Sequence, residues 1–207
     1  VDGAVERALR WLTAVQQPDG SFPSLETGQP GVTSLCTMAF IAHGNVPGDQ
    51  RFGPNLDRAI DFVLECQKES GLIARVGNEG RTISRRLNHH MGTTTAYNHA
   101  ISSLALAELY GMSEPERAAR IEEAIKKSLE ATLLMQRWPK DNPADLGGWR
   151  YIDDRDESDS DLSITGWHLM FLRSARNAGF DVPKKAIDDA VAYIRGCYSE
   201  KYGTFEY

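Results

Sequence analysis

The sequence predicts an all-α chain of stacked helix pairs, on three observations. The first is an echo. The stretch "RALRWLTAVQQPDGSF" carries Arg7, Ala8, Trp11 and Gln16, then Gly20 and Phe22. The same skeleton returns as Arg58, Ala59, Phe62, Gln67 and Gly71, and as Lys127 and Gln136 with Gly147 and Trp149 after an insertion. A fourth copy keeps Ala190, Tyr193, Gly203 and Phe205 but has Tyr198 where the others have Gln. Repetition at roughly 50 to 70 residues marks stacked units. The second observation is that each unit pairs an amphipathic stretch with a more apolar one. The third is a Gly at the end of each apolar stretch, Gly44, Gly111 and Gly179, where helix C-caps belong.

Each element follows from local signals. A helix near 4–17 has Val5, Ala8, Leu9 and Leu12 on one stripe. "VTSLCTMAFIAHG" gives a helix near 33–44, apolar round most of its circumference and hence internal, and the second skeleton gives one near 57–69. "TTTAYNHAISSLALAELYG" predicts 93–111 on the same ground. Ser113 and Glu116, with Pro115 between them, form a capping box opening a helix over 115–137. "LSITGWHLMFLRSARNAG" predicts 162–178, with the last acids before it and Ser163 suited to capping its positive end. A final helix spans 183–198. The units are about 4–56, 57–112, 113–182 and 183–207, about three and a half helix pairs within one domain over 1–207. In each, the terminal Gln satisfies backbone groups of the adjacent turn, and the Gly-x-aromatic turn packs on the neighbouring unit.

Composition sets bounds on function. The 207 residues suit a single core, and 23 Lys+Arg against 29 Asp+Glu, a formal charge of −6, offer no general attraction to nucleic acid. Cys36, Cys66 and Cys197 are odd in number and widely spaced, which fits neither a disulfide framework nor a zinc knuckle. A reducing, cytoplasmic setting is expected, with room for a removed leader before Val1. No apolar run reaches the length of about 18 residues that a membrane helix needs, so no transmembrane segment is expected.

The repeat resembles the glutamine-tryptophan repeat of squalene and oxidosqualene cyclases, shared more loosely by protein prenyltransferase β subunits. "YNHAISSLALAELYGM", and "GGWRY" followed by "LSITGWHLMFLRSA", look like bacterial prenyltransferase and squalene oxidase repeat proteins. The resemblance implies an αα-toroid of inner and outer helices, here incomplete. Because the fourth unit stops after "YGTFEY", missing C-terminal repeats or a partner protein are expected to cover its open flank. The family's cyclases use an Asp-x-Asp-Asp acid, whereas Asp159-Ser160-Asp161-Leu162 lacks the final Asp, so no squalene cyclisation is expected. Prenyltransferases hold zinc with Asp, Cys and His; Cys36 has no Asp just before it, and nothing in the sequence unites it with His43 or His99. No metal and no cofactor are therefore expected. The acidic run Asp153 to Asp161 lacks the Gly of a calcium loop and reads as solvated.

The basic segment before the 93–111 helix carries Arg81, Arg85, Arg86, His89 and His90, and the helix then bears Tyr97 and His99. Arginines near a helix N-terminus suit an anion; a basic surface loop and a hydrogen-bonded internal His is the plainer account. Two functions stay open. One is an enzyme or carrier for an isoprenoid or other apolar ligand, with His99, Tyr97 and Asp161 as catalytic candidates and Arg85, Arg86, His89, His90 and Trp167 as ligand-binding candidates. A pocket lined by Tyr97, His99, Trp167 and Phe171 would carry it. The other is a non-catalytic repeat domain binding a protein or glycan, marked by a filled core and an exposed apolar flank. Finally, the basic insertion 71–92 and the acidic insertion 137–161 are expected to meet at one end of the stack, pairing Arg81, Arg85 or Arg86 with Asp153, Asp154, Asp156 or Glu157.

Overall fold

A computed structural model describes residues 2–77, 83, 89–152 and 159–206, with only the backbone described for 89–91. Among these, the chain forms helices α1 (Asp2–Val15), α2 (Gly31–Ala42), α3 (Gly53–Glu65), α4 (His89–Leu109), α5 (Pro115–Gln136), α6 (Leu162–Asn177) and α7 (Lys184–Gly196). β structure among the described residues is confined to an isolated bridge, Gln67 with Ile73, and a two-residue hairpin, β1 (Tyr198–Ser199) with β2 (Thr204–Phe205). The all-α class and every expected helix are present.

The helices form two layers. α2, α4 and α6 pack side by side, α4 in the middle, while α1, α3, α5 and α7 lie against them and α3 also touches α5. Ser34 Oγ meets Ser102 Oγ at 2.8 Å, and the N–H of Gly31 donates to Asn98 Oδ1 at 3.1 Å, so small residues let α2 and α4 approach closely. The main core joins Ile60 and Val63 of α3, Leu106 of α4, Ile121 and Ile125 of α5, and Ile164 and Phe171 of α6. A smaller cluster, Leu9, Phe22, Phe40, Phe52 and Leu56, fills the first unit. Outside, Arg117 on α5 reaches Asp57 at 3.0 Å and Asp61 at 3.2 Å on α3. Such partly exposed pairs add about 0 to 1 kcal/mol each.

What joins one unit to the next is a clasp, met three times. Gln16 Nε2 donates to the carbonyl of Gly20 in its own turn and to that of Asn55 on α3, both at 2.9 Å. Gln67 does the same with Gly71 (3.3 Å) and Ala124 on α5 (2.8 Å), and Gln136 with Gly147 (2.9 Å) and Ala186 on α7 (2.8 Å). Gly20, Gly71 and Gly147 sit at φ +91, +86 and +93°, each pressed on the next outer helix so that a Cβ would strike the carbonyl of Arg58, Lys127 or Asp189. Two physical demands thus coincide on one residue, a left-handed backbone and the absence of a side chain.

The local signals mislead at three points. α3 begins at Gly53, several residues before the expected 57, because Pro54 in the first turn needs no N–H partner. α4 begins at His89 rather than 93. The Ser113–Glu116 capping box does not form: Glu114 is the N-cap residue, without a side-chain cap, Pro115 follows it, and the Ser113 hydroxyl is unbonded. That frame puts Arg117 at the third helical position, where it serves Asp57 and Asp61 instead.

The double demand on the clasp glycine predicts a contrast. Gly71→Ala should lower stability by roughly 3 kcal/mol, through forced backbone movement as well as the positive φ. Gly44→Ala, at φ +82° with nothing within 4 Å of a new Cβ, should cost about 1 kcal/mol. Urea unfolding of the two variants beside the parent measures the difference, and equal losses would show that close approach adds nothing.

Candidate functional site

Towards their N-terminal ends α2, α4 and α6 bury polar side chains, Thr33 and Ser34, Thr95, Asn98 and His99, and Thr165 and His168, with Thr37, Ser102, Ser103 and Ser174 buried further along. Thr33, His99 and Thr165 among them serve the clasp turns. The backbone N–H of Phe22 donates to Thr33 Oγ1 at 3.0 Å, that of Ile73 to His99 Nδ1 at 3.1 Å, and that of Trp149 to Thr165 Oγ1 at 3.0 Å. Thr33, His99 and Thr165 recur at equal intervals along the chain and perform one task, accepting the N–H of the residue two after the clasp glycine.

His99 is therefore occupied on both sides. With Nδ1 accepting from Ile73, Nε2 carries the proton and faces Thr132 Oγ1 at 3.0 Å. Complete burial drives its pKa down to about 3, the backbone hydrogen bond at Ser128 opposing only weakly, so the ring is neutral. His168 is also fully buried, stacked on Trp149 with centroids 4.7 Å apart, and neither ring nitrogen has a hydrogen-bond partner among the described residues. Burial, helped by His99 nearby, holds its pKa well below the usual histidine value.

Asp161 is an acceptor on both carboxylate oxygens. Oδ1 takes the N–H of Ile164 at 2.8 Å, making Asp161 the N-cap of α6, and Oδ2 takes Arg150 Nη1 at 3.1 Å. An acid that protonates an alkene must present a donating O–H to an apolar space; this carboxylate presents acceptors to an arginine and a helix. Ser163, also expected as a cap, instead meets Tyr97 Oη at 2.8 Å, linking α4 to α6. Burial raises the Tyr97 phenol, and that hydrogen bond pulls the other way.

At this end the stretch before 153 touches the first turns of α4. Ile152 N–H donates to the carbonyl of Gly92 at 3.3 Å, and the Tyr97 and Tyr151 rings lie 6.4 Å apart. The expected pairs of Arg81, Arg85 or Arg86 with Asp153, Asp154, Asp156 or Glu157 lie outside the described residues, as do the side chains of His89 and His90.

The pocket expected from Tyr97, His99, Trp167 and Phe171 does not form. His99 and Phe171 are sealed in the core, and Tyr97 and Trp167 pack half-buried against it. The cavity on the inner helices lies towards their C-terminal ends, about 720 Å³ in volume, lined among others by Met38, Ile41, Leu104, Met112, Leu169 and Met170, with Glu108 and Arg173 as its charges. Its size suits a small apolar molecule, and three thioethers make its wall adaptable. Met38, Leu104 and Met170 keep the same equal spacing as Thr33, His99 and Thr165. That spacing emerges once the three inner helices are aligned on those residues, and it is a signal that acids, bases and metal ligands do not carry. A more polar cavity of about 970 Å³ lies between the turn after α5 and α7, edged by Asp145, Arg150, Asp159 and Tyr193.

Among the described residues no three His, Cys, Asp or Glu side chains converge as metal ligands. Desolvation pushes the half-buried Cys36 thiol up, which suits packing better than ligation. No helix among the described residues is long and apolar enough to cross a membrane. No protein-family model matches the chain, and no curated protein matches it.

The neutral histidines make stability depend on pH. Unfolded, both titrate near 6.5; folded, both stay neutral far below that, so the unfolded chain binds more protons as the pH falls. Stability is complete above pH 6.5 and declines below it, by up to about 1.4 kcal/mol per pH unit for each ring. Urea titrations between pH 6.5 and 5 should show this slope, reduced by about half in His168→Phe, which keeps a ring on Trp149. An unchanged slope would mean that His168 protonates in the fold.

Proposed function

We propose that the chain is an arc of an αα-toroid of the squalene cyclase and prenyltransferase repeat type, and that its inner face holds an apolar, isoprenoid-like ligand without proton-initiated cyclisation. The supporting observation is the cavity at the C-terminal ends of α2, α4 and α6, whose wall is built from the equivalent residues Met38, Leu104 and Met170. The N-terminal ends of the same helices bond the clasp turns through Thr33, His99 and Thr165, which leaves the C-terminal ends to face a ligand. The acceptor-only environment of Asp161 supports a holding role over acid catalysis. Glu108 and Arg173 at the cavity supply the means to orient a polar head.

Thermal unfolding with farnesol, farnesyl diphosphate, squalene and a short glycan tests this reading. A ligand at a hundredfold excess over its Kd stabilises the fold by about 2.7 kcal/mol, a rise of roughly 5 to 10 °C for a domain of this size. The prenyl compounds should produce it and the glycan should not. Met170→Glu, on an exposed side chain of the wall, should abolish the rise with little change in the unliganded Tm. Stabilisation by the glycan alone, or prenyl binding indifferent to Met170→Glu, would overturn the proposal.

A further inference from the structure

The equal spacing of the inner helices gives each position a counterpart on the other two, and two residues of the apolar cavity depart from theirs. The register is sound in the core: Phe40, Leu106 and Leu172 are counterparts, at 1%, 1% and 0% exposure. Where α2 has Ile41 and α4 has Ala107, α6 has Arg173. Where α2 has Ala42 and α6 has Ser174, α4 has Glu108. Among the described residues lining the cavity, these two supply the charges.

Neither charge serves the fold. Glu108 lies in the last turn of α4, the negative end of the helix, where a carboxylate is unfavourable and no basic residue of that turn offsets it. No ion pair or side-chain hydrogen bond joins Glu108 or Arg173 to another described residue. The two nevertheless stand at one level of neighbouring helices. Tyr97 on α4 and Ser163 on α6 are counterparts and meet at 2.8 Å, and Glu108 and Arg173 each follow about three turns later. Helices packed side by side have axes about 8 to 10 Å apart, a gap that a small group bearing both charges can bridge.

We propose that the ligand of this cavity carries a zwitterionic head, its ammonium held by Glu108 and its anionic group by Arg173, with its chain along Met38, Leu104 and Met170. The inference rests on the proposed role of the cavity in holding an apolar ligand and adds the class of head. A lone phosphate would be attracted by Arg173 and repelled by Glu108, and a lone amine would meet the reverse. A head with both signs answers both side chains and, like them, sums to zero. Asn177, also on the lining, adds an amide able to bond either group.

Isothermal titration calorimetry of the full chain with farnesol, farnesyl phosphate, farnesylamine and farnesyl phosphoethanolamine reads the head separately from the chain they share. The zwitterion should bind tightest, by up to about fivefold over farnesol for each charge answered, with the two singly charged ligands close to farnesol. Replacing each charge by its counterpart on α2 should split these two. Glu108→Ala should favour the phosphate over the amine, and Arg173→Ile the amine over the phosphate. Both variants should keep the farnesol affinity and unliganded Tm of the parent, since neither side chain has a bond to lose. Glu108→Gln and Arg173→Gln are the second pair, used if either first variant unfolds. Farnesol binding with all four heads equivalent, or a singly charged ligand tightest on the parent, overturns the zwitterionic head and leaves the apolar cavity standing. No binding by any of the four removes the cavity's role and the head with it.

Discussion

A glutamine carboxamide that ties each turn to the flank of the following outer helix is the interaction on which the rest of the structure depends. A tight turn after a helix leaves backbone carbonyls that need partners. Gln16, Gln67 and Gln136 each use one NH₂ group twice, bonding the carbonyl of the turn glycine behind and a carbonyl within the next outer helix ahead. For the amide to reach both, the turn must lie directly on that helix, which excludes a side chain at Gly20, Gly71 and Gly147. It also keeps the residue beneath small, as Ala59, Ser128 and Ala190 are. The N–H of the residue two after the glycine then points inward, and an acceptor must wait on the inner helix: Thr33, His99 or Thr165.

This chain of constraints explains how much the residues alone reveal. The helices, the terminal glycines and the clasping glutamines are signalled by spacing and residue type within one unit, so the two-layer all-α arrangement is legible in the sequence. The Ser113–Glu116 cap misleads because its pattern is local while its outcome is decided by Asp57 and Asp61 on another helix, which draw Arg117 to them. His99 suggests a reactive group, since nothing local shows that the Ile73 N–H lies 3.1 Å from Nδ1. The apolar wall of Met38, Leu104 and Met170 contains no acid, base or metal ligand, and only the alignment of three distant helices brings it out.

The inner helices divide their labour along their length. Thr33, His99 and Thr165 towards their N-terminal ends accept the clasp-turn N–H groups, while Asn98 and Ser102 bond α2 through the Gly31 N–H and Ser34 Oγ. Buried polar groups are costly unless bonded, and the clasps and the α2–α4 contact supply these partners. The C-terminal halves, past the reach of the turns, are free to be apolar and partly exposed, as at Met170.

The direction of the clasp also orders events in time. Gln16 bonds Asn55, Gln67 bonds Ala124 and Gln136 bonds Ala186, spans of 39, 57 and 50 residues, always towards later sequence. A chain leaving the ribosome thus holds each finished helix pair with its amide and glycine turn uncovered until the following outer helix emerges. At about 5 to 20 residues per second, that wait lasts on the order of seconds. Spans this short carry similar loop-closure entropies, so the units are suited to locking one after another behind the advancing polymerisation site, each protecting the one before it from a wrong neighbour.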